Sequence, residues 1–468
     1  MGCRAIGTMT AGMRMKGGLT FPGGVHPPEY KDLTEDAPIQ VVPAPSQVVL
    51  LLSQHIGAAC RPTVAKGDTV QAGQVVGDAD AFVSAPVHSP VSGKVKAIGL
   101  APHAVLGRCQ AVTIETDPDA TDGKTPSPQR FGADFKPEAY APEQIRQAAR
   151  DAGLVGMGGA GFPTRVKLEP NPEQPKKVLI VNGCECEPFI TCDYRLMLEW
   201  TDQVIAGVRL AARAAEVEQI RIGIEDNKPK AVEAVRRAVE ACGMSERIEV
   251  CVLRTKYPQG GERQLIRAVL GRHVPSGQIP PAIGVLVLNV ATCAALAEAV
   301  VLGAALTHRV VTVTGPAIGG PGNYYVPVGM TVGDLIEYCG GLTDRSARVV
   351  LGGPMMGQAI ADMTTPITKT TGAITFLVDR VVLGDRLARP TPCIRCGRCL
   401  AVCPEGLNPT KIAHAVMYEK LDLAARYYMT VCMECGSCSF VCPAHIELTG
   451  YIKTGKILHA RSKKRMPP

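Results

Sequence analysis

Cys393-Ile-Arg-Cys396-Gly-Arg-Cys399-Leu-Ala-Val-Cys403-Pro404 is answered, after a helical spacer, by Cys432-Met-Glu-Cys435-Gly-Ser-Cys438-Ser-Phe-Val-Cys442-Pro443. Each run is C-x2-C-x2-C-x3-C-P, a spacing that holds cubane iron–sulfur clusters. The short intervals wrap three thiolates round one face of a cube. The fourth cysteine lies a helical turn further on and points away, so it serves the other cube. Cys393, Cys396, Cys399 and Cys442 are therefore expected to hold one [4Fe–4S] cluster, and Cys403, Cys432, Cys435 and Cys438 the second. A pair of zinc sites explains neither the third cysteine nor the proline of each run. Two such clusters side by side pass electrons singly, so electron transfer is the expected task.

Length and composition set the frame. At 468 residues the chain is expected to make about three domains. Its 46% hydrophobic and 20% charged residues suit folded, core-forming units. Eighteen cysteines in so long a chain do not resemble a secreted disulfide scaffold. Clusters of this kind need reduced thiols, which points to the cytoplasm. The net charge is +7, yet no basic run is interleaved with aromatics, so nucleic acid is not an expected partner. Met1 to Gly18 lacks a continuous apolar core and is not expected to be a secretory signal. The most apolar stretch, Ile283 to Leu306, is interrupted by Asn289, Thr292 and Glu298 and reads as a buried strand followed by a core helix.

Working outward from the cysteine runs, residues 386–468 form the C-terminal unit. Residues 1–40, rich in Gly and Pro, read as an arm laid on the body. From 41 to 116 short apolar runs alternate with turns, an all-β pattern resembling the barrel sandwich of lipoyl- and biotinyl-carrier domains. Carriers present a modified lysine on a hairpin. This chain has Pro86, Val87, His88 and Ser89 there, which favours a docking scaffold over a swinging arm. A Pro/Asp/Thr-rich linker covers 117–142. From 143 to 305 strands and helices alternate, predicting a three-layer α/β domain. Residues 306–385 resemble a β-grasp module of the soluble-ligand-binding type.

Within the α/β domain stands Gly156-Met-Gly158-Gly159-Ala-Gly161-Phe162-Pro163, with Lys167 beyond it. A Rossmann fingerprint would follow a strand and open a helix, with an acidic residue about 20 positions on. Here a helix precedes the loop and Pro163 follows it, so that reading fails. Four glycines still let backbone amides approach a phosphate closely, and Lys167 is placed to reach the same group. Three further strand ends carry polar residues, where α/β sheets bind ligands: Asn182-Gly-Cys184-Glu185-Cys186-Glu187, Tyr257-Pro-Gln-Gly-Gly-Glu262 and Asn289-Val-Ala-Thr292. A redox nucleotide pocket accounts for this convergence.

Several motifs together resemble the RnfC component of the Rnf electron-transport complex over nearly the full chain. They are Phe21-Pro-Gly-Gly-Val-His-Pro-Pro, Gly156-Met-Gly-Gly-Ala-Gly-Phe-Pro-Thr, Glu185-Cys-Glu-Pro, Thr191-Cys-Asp-Tyr-Arg-Leu-Met, Gly223-Ile-Glu-Asp-Asn-Lys-Pro, Thr255-Lys-Tyr-Pro and the two cysteine runs. The central domain is also similar to the flavin subunit of respiratory complex I. The resemblance implies a multidomain α/β protein: barrel-sandwich domain, FMN/NADH-binding α/β domain, β-grasp module and bacterial ferredoxin-like 2[4Fe–4S] domain. It implies FMN and NAD(H) as cofactors beside the clusters. Gly156, Gly159 and Lys167 would contact FMN phosphate, and Asn182, Glu185 and Asn289 the flavin or its ribityl chain. Phe162 and Glu187 would face the nicotinamide nucleotide, with Tyr257 and Glu262 in the same pocket. Two positions depart from the complex I pattern: Cys184 replaces an acidic residue, and Gly261-Glu262 replaces two consecutive glutamates. The implied activity is that of a subunit of an ion-translocating ferredoxin:NAD+ oxidoreductase. It would work with membrane subunits and a ferredoxin-linked subunit, peripherally on the cytoplasmic face of the inner (plasma) membrane. Alternatives are a cobalamin-reductase-type flavin/iron–sulfur protein of a catabolic microcompartment, or an electron-relay scaffold that binds no nucleotide.

Overall fold

The chain is seen in a computed structural model that describes residues 14–15, 18–120, 131–132, 135–344, 348–378 and 390–465. Its centre is a sheet whose parallel strands run, side by side, Ile248–Leu253, Gln219–Glu225, Val178–Gly183 and Val285–Asn289. Val178, Leu179, Ile180 and Val181 are all fully buried, as expected of a parallel strand covered on both faces. Leu179 and Val181 join the core under helices Thr201–Ala214 and Val290–Leu302, whereas Val178 and Ile180 join the core under helix Glu262–Leu270. That alternation is the three-layer arrangement. A Cβ on Gly207 would stand 1.7 Å from the Cys293 carbonyl oxygen, so glycine is what lets the first two helices touch backbone to backbone.

After the strand Val178–Gly183 come two helices, Cys192–Glu199 and Thr201–Ala214. The break falls at Trp200, whose indole packs edge-on against Tyr325 of the β-grasp sheet at 5.3 Å.

The N-terminal arm belongs to several units at once. Gly18–Leu19 extends the central sheet beside Ile248–Leu253, and Ile39–Val41 pairs with Asn323–Tyr325 on the edge of the β-grasp sheet. Between them, the Gly24 amide donates to the Val402 carbonyl in the cysteine-rich domain at 2.8 Å. The β-grasp sheet also holds Gly322–Pro327, His308–Thr314, Ala373–Leu377, Arg348–Leu351 and Gln358–Ile360.

The β domain has a four-stranded and a three-stranded sheet facing one apolar core. Its hairpin at Val87–Ser89 is buried. The Lys369 ammonium, reaching in from the β-grasp module, donates to the Pro86 carbonyl (2.6 Å) and to the Gly153 carbonyl (2.7 Å). The hairpin is thus a dock tying the barrel to the start of the glycine-rich segment. In the cysteine-rich domain, helix Pro409–Met417 packs on helix Leu448–Arg465. Short helices Arg398–Ala401 and Ser437–Phe440 supply the turn that separates third from fourth cysteine in each run.

Candidate functional site

Two quartets of thiols lie in the cysteine-rich domain. Cys403, Cys432, Cys435 and Cys438 line one cavity, and Cys393, Cys396, Cys399 and Cys442 line another. Amide-to-sulfur bonds support the donor sets: Arg395 N to Cys393 Sγ at 3.4 Å, Leu407 N to Cys403 Sγ at 3.3 Å and Glu434 N to Cys432 Sγ at 3.3 Å. Such bonds stabilise sulfur that carries negative charge. The halves match in conformation as well as in sequence. Arg395 and Glu434 hold φ of 55° and 62°, and Gly397 and Gly436 hold 75° and 82°. Four soft donors per cavity fit a [4Fe–4S] cluster in each.

One strand-end loop of the central sheet, Tyr257–Glu262, reaches the first of these cavities. Asn182 and Asn289 sit opposite one another in adjacent strands. Asn182 Nδ2 donates to the Gly260 carbonyl (2.8 Å), so it ties its strand to the Tyr257–Glu262 loop. Asn289 accepts from the Ala291 amide (2.8 Å), capping its helix, and donates to Asp193 Oδ2 at 2.6 Å. A Cβ on Gly158 would stand 2.7 Å from the Asn289 amide nitrogen, whereas one on Gly159 would meet nothing within 4 Å. The glycine-rich turn is therefore pressed against Asn289 at one residue and open at the next. The Gly156 amide donates to the Phe162 carbonyl (2.9 Å), closing the turn, and Phe162 is half-buried. Lys167 reaches Val287 O at 3.1 Å and Glu262 Oε1 at 3.4 Å, and is still partly exposed. An open glycine backbone beside a reachable ammonium fits a phosphate-bearing flavin such as FMN.

The two glutamates are engaged elsewhere than a free ligand pocket would require. Glu185 has φ of 51° and its carboxylate accepts from the Asp193 amide (2.6 Å) and the Tyr194 amide (3.2 Å), where it caps helix Cys192–Glu199. Burial pushes its pKa up, although Lys31 opposes the shift. Glu187 accepts from the amides of Met355 (3.1 Å) and Met356 (2.9 Å) in the β-grasp module. Desolvation raises it to about 7, against the pull of those two amides. Glu187 therefore fixes the Gly353–Met356 loop over the strand ends.

Tyr257 is buried, and its hydroxyl donates to the Cys435 carbonyl at 2.7 Å. A loop of the α/β domain thus touches a ligand residue of one cluster cavity. Val25, Cys186, Met355 and Met433 pack around the pair. Gln264 Nε2 adds a bond to Glu405 Oε1 at 2.6 Å, on the wall of the same cavity. Tyr257→Phe should cost about 1 kcal/mol by leaving a buried carbonyl unpaired. It should also lower the reduction potential of the adjacent cluster, because a dipole favouring the reduced form is lost. A redox titration followed by EPR reads that shift, and an unchanged potential would count against the coupling.

Lys31, from the arm, is the residue that sequence reading missed. Its buried ammonium donates to the carbonyls of Glu185 (2.9 Å), Glu187 (3.0 Å) and Ile190 (2.5 Å). Nearby, Lys228 and Glu225 form a buried ion pair at 3.1 Å. Asp193, Glu225 and Lys228 lie inside motifs that carry the resemblance, so a signal existed for them. A lone lysine in a proline-rich arm carries none.

Paired thiol quartets serve one-electron transfer, and here one quartet adjoins a strand-end loop of the α/β domain. The class is thus an iron–sulfur electron-transfer protein with its own cofactor domain. Family models match the Nuo51 FMN-binding domain over residues 149–298, the RnfC barrel sandwich hybrid domain over 19–119, the SLBB domain over 310–359 and a 4Fe-4S dicluster domain over 386–447. The C component of the proton-translocating ferredoxin:NAD(+) oxidoreductase complex of Clostridium ljungdahlii is 43% identical over 84% of this chain and 84% of its own. The C component of the Na(+)-translocating complex of Acetobacterium woodii is 43% identical over 86% of this chain and 88% of its own. Among solved structures, an NAD+-reducing [NiFe]-hydrogenase aligns with a TM-score of 0.49 and 22% identity over 69% of this chain and 62% of that one. The chain belongs to the RnfC family of ion-translocating ferredoxin:NAD+ oxidoreductase (Rnf) complexes. Its relatives are subunits of a multi-subunit oxidoreductase, and no described helix is long and apolar enough to cross a membrane.

Proposed function

We propose that this chain is the peripheral NAD(H)-facing subunit of an ion-translocating ferredoxin:NAD+ oxidoreductase, on the cytoplasmic face of the membrane. Ion movement belongs to membrane partners, and a ferredoxin-linked subunit stands at the other end of the electron path. The observation that carries this reading is the Tyr257–Cys435 contact, which joins the strand-end pocket to one cluster cavity within a single chain. Bound FMN supplies the conversion between two-electron hydride chemistry and the single electrons of the clusters.

The chain's own residues hold and shape that pocket. Gly156 and Gly159 offer backbone amides, and Lys167 an ammonium, to the flavin phosphate. Asn182 and Asn289 fix the paired strand ends beneath the flavin, by tying them to the Tyr257–Glu262 loop and to Asp193. Glu185 contributes mainly by fixing the turn before helix Cys192–Glu199, because both its oxygens are taken by helix amides. Phe162 flanks the nicotinamide nucleotide. Glu187, through the Gly353–Met356 loop, forms one wall of that pocket, and Tyr257 and Glu262 form the side toward the clusters. Cys403, Cys432, Cys435 and Cys438 hold the cluster on the flavin side, and Cys393, Cys396, Cys399 and Cys442 hold the outer one.

Anaerobic NADH titration, followed at flavin and cluster wavelengths, tests the reading. The flavin should bleach first and the clusters second. Lys167→Ala should lower flavin retention at least about tenfold, by removing one charge-assisted phosphate contact, while iron content stays intact. Cluster reduction by NADH in flavin-free protein would overturn the mechanism, and full flavin retention in the variant would move the phosphate site.

A further inference from the structure

The cysteine runs repeat one another, but the fold treats their matching faces differently. The second run is covered by this chain's own β-grasp module and cofactor domain. A Cβ on Gly436 would stand 3.0 Å from the Met355 carbonyl, and one on Gly261 2.8 Å from the Met433 methyl. Glu434 is paired with Lys456 at 2.5 Å. In the first run the equivalent positions meet no such cover among the described residues. Ile394, which matches Met433, is 67% exposed. Cys396, which matches Cys435, is exposed, and a Cβ on Gly397 would meet nothing within 4 Å. Arg395 and Arg398 stand where the second run has Glu434 and Ser437. Both are exposed, and neither guanidinium has a partner among the described residues.

We propose that Ile394, Arg395, Cys396 and Arg398 form the docking face for a separate electron-transfer protein whose own redox centre is ringed by carboxylates. This rests on the relay reading above. One face of the repeat meets this chain's own cofactor domain and β-grasp module, so its twin, with the same backbone and no cover among the described residues, presents the outer cluster to a second redox protein. An exposed aliphatic side chain at the centre supplies a contact that sheds water. The two unpaired guanidiniums beside it select an acidic partner and steer its approach. A basic partner would be repelled.

The test uses full-length protein reduced with dithionite, so that it does not depend on NADH oxidation. Stopped-flow mixing with a small acidic ferredoxin and, separately, with basic cytochrome c reads the bimolecular rates. With the ferredoxin, the parent rate should fall steeply as ionic strength rises from about 10 mM to about 300 mM. R395E/R398S gives the first run the residues of the second, where Glu434 already tolerates φ of 62°, so the backbone is preserved. It should slow the ferredoxin reaction about tenfold at low ionic strength and flatten its salt dependence, while leaving cytochrome c reduction equal or faster. Arg398→Ser alone should give a smaller drop in the same direction. Both cluster EPR signals serve as the folding control. Equal ferredoxin rates for parent and variants, with both signals intact, would overturn the docking face. A failure of NADH to reduce the clusters, measured apart, would strike the relay reading instead.

Discussion

Cys442→Ala should abolish the outer cluster and leave the flavin-side cluster reducible by NADH, whereas Cys403→Ala should abolish the flavin-side cluster and bring NADH-driven cluster reduction to background. The reason is spatial. Cys442 belongs by sequence to the second run but lines the cavity of Cys393, Cys396 and Cys399, and Cys403 is exchanged in the opposite sense. The cavity that contains Cys403 is the one met by Tyr257, through Cys435, and by Gln264, through Glu405. Losing it removes the stepping stone between pocket and exit, and losing the outer one removes only the exit. Anaerobic EPR of each variant, after NADH and then after dithionite, distinguishes the two. If Cys403→Ala lost only the signal of the first run, the crossed ligation would be wrong. If Cys442→Ala blocked NADH reduction of the remaining cluster, the order of the two would be wrong.

The second large effect is expected at Lys31. Hydrogen bonds to a charged donor contribute about 1.5–3 kcal/mol each, and this ammonium makes three, to partly buried carbonyls. Desolvation pulls its pKa down, with Lys228 acting in the same sense, so part of that gain is offset. Lys31→Met keeps the stem and removes the donors. The net loss should be about 3 kcal/mol in the stability of the α/β domain, with weakened flavin retention because the Glu185–Ile190 turn loses its staple. Cluster content should be unaffected, since the cysteine-rich domain has its own core. Thermal melting monitored by flavin fluorescence, beside an iron assay, measures both. A variant that melted with the parent and kept its flavin would show that the arm is only a cover.

Much of the candidate site was legible in the chain because its chemistry is local. Cluster spacing operates over intervals of two or three residues, and the turn that carries the fourth cysteine away is one short helix. The glycine-rich turn was legible for the same reason: glycine is demanded wherever backbone must press against Asn289 or open toward a ligand. The alternation of strands and helices announced the three-layer sheet, since a parallel strand covered on both faces is apolar over most of its length.

What tertiary structure alone decided lies in contacts between distant segments. Lys31 and the Glu185 carbonyl are 154 residues apart, and Tyr257 and Cys435 are 178 apart. No periodicity reports such a pairing, because each partner satisfies its own local pattern with or without the other. The two cysteine runs are near-equal as text. Only packing made one of them the inner cluster site, beside Tyr257 and Met355, and left Ile394, Arg395 and Arg398 of the other in solvent. By itself the sequence determined which cysteines gather and where glycines leave the backbone open. The fold determined which quartet faces the pocket, because that depends on which side of a repeated motif another domain buries.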